Sequence, residues 1–85
     1  MDLTKDKVRS EINKDLQIGD PREKVERVLK SRGIDFSYDG QFEQRYSSNI
    51  KGKNCAFDKS VILYIYLDKS GNVSRIETLD SYTFL

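Results

Sequence analysis

The sequence predicts an α+β domain, with two N-terminal helices packed on one face of a three-stranded antiparallel β-meander. Three observations carry that expectation. Apolar residues recur at helical spacing as far as Leu29, the period shortens to two after Gly33, and residues 61–67 form an unbroken β-branched and aromatic run bounded by turn residues. The 85 residues suffice for a single domain over 1–85. A chain of this size buries roughly 60–65% of its unfolded surface, so its core is thin.

The first helix is expected over residues 4–16. Val8, Ile12 and Leu16 recur at i, i+4 and i+8 as one narrow stripe in a charged segment, so this helix docks by one edge. Gln17, Ile18 and Gly19 then turn the chain into a second helix, over residues 20–32, with both ends written into the sequence. Asp20 is placed to accept from the free amides of its first turn, Pro21 stands where a missing N–H costs nothing, and Glu23 lies at capping-box spacing. At the other end Lys30 and Arg32 complement the dipole, Gly33 takes the left-handed cap position, and Ile34 folds back on the last turn. Val25, Val28 and Leu29 form the buried face, while Glu23 with Arg27 and Glu26 with Lys30 are favourable i,i+4 pairs on the wet side.

Ile34, Phe36 and Tyr38 alternate with Asp35 and Ser37 in a short extended stretch ending at Asp39-Gly40. Phe42, Tyr46 and Ile50 share one face of a second run, opposite Glu43, Arg45 and Ser47. Residues 51–59 read as a polar loop carrying Gly52 and Cys55. The run 61–67 is apolar on both faces and belongs at the centre of the sheet. Asp68-Lys69-Ser70-Gly71 turns it into a last strand over 72–79. Burial selects the hairpin register, because a one-residue slip reverses every side chain. A five-residue loop would set Leu63 opposite Glu77 and Ile65 opposite Arg75. A four-residue loop with Gly71 left-handed sets Leu63 opposite Ile76, Val61 opposite Thr78, Tyr64 opposite Arg75 and Ile62 opposite Glu77. The four-residue loop is therefore expected, with Val61, Leu63, Ile65 and Ile76 facing the helices.

Composition excludes several classes of function. Fifteen basic and fourteen acidic side chains leave a net charge of +1, which provides no electrostatic footprint for nucleic acid. Tyr38, Tyr46, Tyr64 and Tyr66 with Arg45, Arg75, Lys51 and Lys53 could be drawn into a single-strand-binding sheet, but acidic residues interleave throughout and the RNA-recognition signature is missing. No apolar run approaches the roughly 18 residues of a membrane span. The N-terminal residues lack the apolar core of a secretory signal, so a native Met1 implies a cytoplasmic protein. A Met1 that replaces a removed export signal implies a periplasmic or envelope protein instead.

Chemistry has little to work with. The chain has no histidine, which removes the usual general base, the Ser-His and Cys-His couples and most transition-metal sites. Cys55, the single cysteine, has basic neighbours in Lys53 and Lys59 but no expected helix N-terminus to activate it. Asp68, Ser70 and Asn72 alternate like the start of a calcium loop but lack the rest of its pattern, and read as a turn. The carboxylate pairs Asp58 with Asp68 and Glu77 with Asp80 have no recognisable acid/base spacing. Each glycine is isolated beside a turn signal, so no phosphate-cradling loop exists. No enzyme activity, cofactor, metal or small-molecule substrate is expected.

The outward face of the central strand offers more. Tyrosine and arginine are enriched where proteins meet. Ile62, Tyr64, Tyr66 and Arg75 form a patch of that character and are the candidate partner-binding residues. The tail, 81–85, either packs over the core or offers an apolar strand to a partner.

The order helix, helix, meander resembles the BamE/SmpA type of small outer-membrane-associated lipoprotein domain. Ile18-Gly19-Asp20 with Val25, Leu29 and Gly33 is similar to that family's helix-opening segment, and Tyr66-Leu67-Asp68-Lys69-Ser70-Gly71-Asn72-Val73 with Ile76-Glu77 to its closing hairpin. The resemblance implies a non-enzymatic scaffold of the bacterial envelope that binds another protein through its sheet. A small cytoplasmic inhibitor, such as an immunity protein neutralising a partner toxin, is the alternative. The near-zero net charge counts mildly against an inhibitor of basic nucleases.

Overall fold

A computed structural model of the chain describes residues 4–40, 44–51 and 58–83, the side chains of 58, 59 and 81–83 excepted. The elements run α1 (Lys5–Asp15), α2 (Arg22–Ser31), β1 (Ser37–Asp39), β2 (Arg45–Lys51), β3 (Asp58–Leu67) and β4 (Val73–Thr83). The strands form an antiparallel sheet in the order β1-β2-β3-β4, four strands where three were expected. The added strand is the end of the 34–38 stretch. Ser37, Tyr38 and Asp39 pair with Ser47, Tyr46 and Arg45. The alternation announces an extended stretch there but not its partner; only its last three residues pair, and the Tyr38 ring, 5.0 Å from that of Tyr46, secures the pairing.

Both helices cover one face. Val8, Ile12 and Leu16 of the α1 segment join Val25 and Leu29 of α2, Tyr46 of β2, Val61, Leu63, Ile65 and Leu67 of β3, and Val73 and Ile76 of β4 in one buried cluster. Ile34, Phe36 and Ile50 pack against its margin. Tyr46 is thus a core residue, whereas Phe42 and Cys55 lie outside the described residues.

Thr4 caps α1, its side chain accepting from the Lys7 amide at 3.2 Å, and Asp80 of β4 accepts from the Lys5 amide at 2.9 Å. The start of α2 departs from expectation. Asp20 does not cap that helix. Its carboxylate accepts from the Gln17 amide at 2.7 Å, and Pro21 is the N-cap without a side-chain bond. The cause lies in β4. Val73 donates to the Asp20 carbonyl at 2.8 Å and accepts from the Gly19 amide at 2.7 Å, which holds residues 19–21 extended beside the start of the strand. The helix therefore begins one residue late. Glu23 stays exposed, and the α2 ion pairs are Asp20–Lys24 and Arg22–Glu26 in place of those expected.

The other end of α2 follows the sequence closely. The Ile34 amide reaches the Leu29 carbonyl at 2.9 Å, the Gly33 amide reaches that of Lys30 at 3.1 Å, and Gly33 has φ +69°. These two bonds define the Schellman motif.

The β3–β4 hairpin keeps the expected faces and corrects the expected register. Ile65 lies opposite Ile76, Leu63 opposite Thr78, Tyr66 opposite Arg75 and Tyr64 opposite Glu77. The turn is tighter than four residues. Asp68 and Asn72 are bonded across it, with Gly71 at φ +83°. Continued regularly, that turn would set Ile65 against Arg75. Ser74 prevents this. It stands unpaired between the Leu67/Val73 and Tyr66/Arg75 pairs, a β-bulge that restores the apolar residues to the core face.

Candidate protein-binding face

Side chains alternate across a strand, so burying Val61, Leu63 and Ile65 turns Ile62, Tyr64 and Tyr66 to the side away from the helices. All four expected residues share that side. Arg75 is exposed and the other three are half-buried, because they cover one another. The Arg75 guanidinium lies 4.1 Å from the Tyr66 ring centroid, and the Tyr64 and Tyr66 rings are 6.2 Å apart. The close partner of Arg75 is Tyr66 and not Tyr64, as the corrected register requires.

Arg45 and Leu79 also belong to this face. Arg45 of β2 pairs with Tyr66 across the sheet and places its guanidinium 4.7 Å from the Tyr64 centroid and 6.0 Å from that of Tyr66. A hydrogen bond to Tyr66 is the leading reason that its pKa is raised above the ordinary arginine value. Leu79, opposite Ile62 on β4, is 50% exposed. Tyr66 therefore stands between two arginines, one of which also covers Tyr64, beside an aliphatic step of Ile62 and Leu79. Glu77 pairs with Arg75 at 3.2 Å and Asp39 with Arg45 at 3.9 Å, so the charges are balanced in place. The signal for Leu79 was its place in the alternation Arg75, Glu77, Leu79, and for Arg45 its place opposite the Tyr46 side of β2.

Tyr38 and Tyr46 sit across the sheet. Tyr46 is buried beneath α2, donates to the Glu26 carboxylate at 2.6 Å and accepts from Arg22 Nε at 2.9 Å. Arg22 also lies 4.2 Å from the Tyr38 centroid. Burial, followed by the bond to Glu26, pushes the Tyr46 pKa up to about 12. The same bond leads the lowering of the Glu26 pKa and, from the Arg22 side, Tyr46 leads the raising of the arginine's. This cluster fastens α2 to β2. It also places Tyr38 and Tyr46 on the opposite face of the sheet from Tyr64 and Tyr66.

Two of the remaining motifs resolve as structure, while Cys55, the Asp58 side chain and the side chains of the 81–85 tail lie outside the described residues. Asp68 accepts from the Ser70 and Asn72 amides at 2.9 and 3.0 Å, a turn closing on itself. Glu77 is on the outward face and Asp80 on the helix face, so they do not act as a carboxylate pair. Among the described residues no group of three His, Cys, Asp or Glu side chains is placed to hold a metal, and no helix is long and apolar enough to cross a membrane. Comparison of the chain with protein-family models, curated proteins and solved structures finds no match.

Proposed function

We propose that this chain is a non-enzymatic protein-binding module, similar to the BamE/SmpA-like envelope domains, whose partner docks on the outward face of the sheet. One observation carries the reading. The helices occupy one side of the sheet, and the other presents Ile62, Tyr64, Tyr66 and Leu79 flanked by Arg45 and Arg75. Rigid aromatic rings already braced by guanidinium groups lose little conformational freedom on binding, which suits them as anchors in an interface. The absence of histidine from the chain supports a binding role over a catalytic one.

The test compares capture by the wild-type chain and by the double variant Tyr64→Ala/Arg75→Ala from cells that make the protein. Capture of a specific envelope protein by the wild type, reduced at least tenfold by the double variant with its circular dichroism unchanged, supports the reading. Recovery of a soluble toxin encoded beside this chain would replace the envelope reading with the inhibitor one. Equal capture by both proteins would remove the outward face from the binding site.

A further inference from the structure

The two edges of the sheet are built differently. β1 is three residues long, and a short strand is one means by which proteins blunt an edge. β4 is 11 residues long and contains neither proline nor lysine. Its first residue, Val73, spends its outer hydrogen bonds on Gly19 and Asp20. From Arg75 to Thr83 the pairing is with β3 alone, so among the described residues the far side of this stretch has no strand beside it. At its midpoint stands Leu79, half-exposed where an edge strand would gain most from a charge.

We propose that two copies of this chain pair antiparallel along β4 about a two-fold axis at Leu79, joining their sheets edge to edge. The register follows from charge and from the length of strand paired; an axis at Ser81 would pair only residues 79–83 of β4. A two-fold normal to the sheet keeps every residue on its own face and passes through one residue of β4. An axis at Ile76 would need the backbone of Val73, which is occupied. Axes at Glu77 and at Asp80 would each set a carboxylate against its own copy. An axis at Thr78 would set Glu77 against the partner's Leu79 and Ile76 against the partner's Asp80. At Leu79 the leucines meet each other, Thr78 faces the partner's Asp80, Glu77 faces the partner's Ser81, and the whole stretch from Arg75 to Thr83 is used. None of these pairs sets like charges directly opposite, which would disfavour the sheet. Ile62, Tyr64 and Tyr66 of β3 stay open in this dimer, whereas Arg75 and Leu79 of β4 belong both to the paired edge and to the partner-binding face. Pairing is therefore read from oligomeric state and cross-linking, and partner binding from capture.

Two measurements test it. Sedimentation of the wild-type chain is expected to show a concentration-dependent monomer–dimer equilibrium, weakened at least tenfold by Leu79→Lys. In a Cys55→Ser background, mild oxidation is expected to cross-link Leu79→Cys but not Glu77→Cys. Directly opposed Cα atoms are about 4.5–5.5 Å apart, within disulfide reach, whereas the two copies of residue 77 would be roughly 13 Å apart. A wild-type chain that is monomeric at every concentration overturns the proposal, as does equal cross-linking at both positions.

Discussion

Tyr46 shows how one side chain can set both the packing and the pH response of a small domain. Its ring fills the core between β2 and α2 while its hydroxyl answers Glu26 and Arg22. Removing the hydroxyl with Tyr46→Phe is expected to cost about 1 kcal/mol at neutral pH, measured by urea unfolding. The folded-state pKa of about 12 lies above the ordinary 10.0, so the fold favours the neutral phenol. That contribution is fully present below pH 10 and is lost as pH rises through 12. The gap in stability between wild type and Tyr46→Phe should therefore hold steady to pH 10 and shrink above it; a constant gap to pH 12 would contradict the assignment. Ser48 makes the opposite case. It is 5% exposed beneath the helices, and among the described residues its hydroxyl has no hydrogen-bond partner. Ser48→Ala is expected to leave stability unchanged or raise it by about 1 kcal/mol, since an unpartnered buried hydroxyl is a cost.

At the scale of elements, a few tertiary bonds decide what local signals leave open. The end of α2 was legible because Gly33 and Ile34 act within their own turn. Its start was not, because Asp20 is drawn away by Val73, more than fifty positions along the chain. The hairpin behaves similarly. Burial set the parity correctly, but the register came from a tight turn and the compensating Ser74 bulge, and a bulge has no marker in a run such as Val73-Ser74-Arg75. Gly71→Ala should cost about 1–2 kcal/mol, because a side chain at φ +83° is strained. The helices are joined through Arg32, which donates to the Glu11 carbonyl at 2.9 Å and also contacts the Glu11 and Asp15 carboxylates. The Asp15 bond leads the raising of its pKa. Arg32→Ala is expected to cost about 1–2 kcal/mol and to speed amide exchange in α1 well before β3. Uniform acceleration across both would show that α1 does not open by itself.

At the scale of the whole molecule, the α+β layout was legible from periodicity, and its error of one strand came from leaving the short alternation before Gly40 out of the sheet, since its pairing with β2 is a tertiary contact. The four outward residues were legible too, since parity alone places Ile62, Tyr64 and Tyr66 opposite the buried series. The arginine bracketing was not. It depends on which residue of β2 faces Tyr66, and the pairing of β2 with β3 leaves no local trace in the sequence. The central claim is that a partner protein contacts this face. Its most direct measurement is site-specific photo-crosslinking in cells that make the protein, with benzoylphenylalanine replacing Tyr64 on the outward face or Arg27 on the exposed side of α2. A single discrete adduct from position 64, none from position 27, and competition by unlabelled wild type but not by Tyr64→Ala/Arg75→Ala is the predicted result. The same adduct from both positions, or an adduct from position 27 alone, would contradict it.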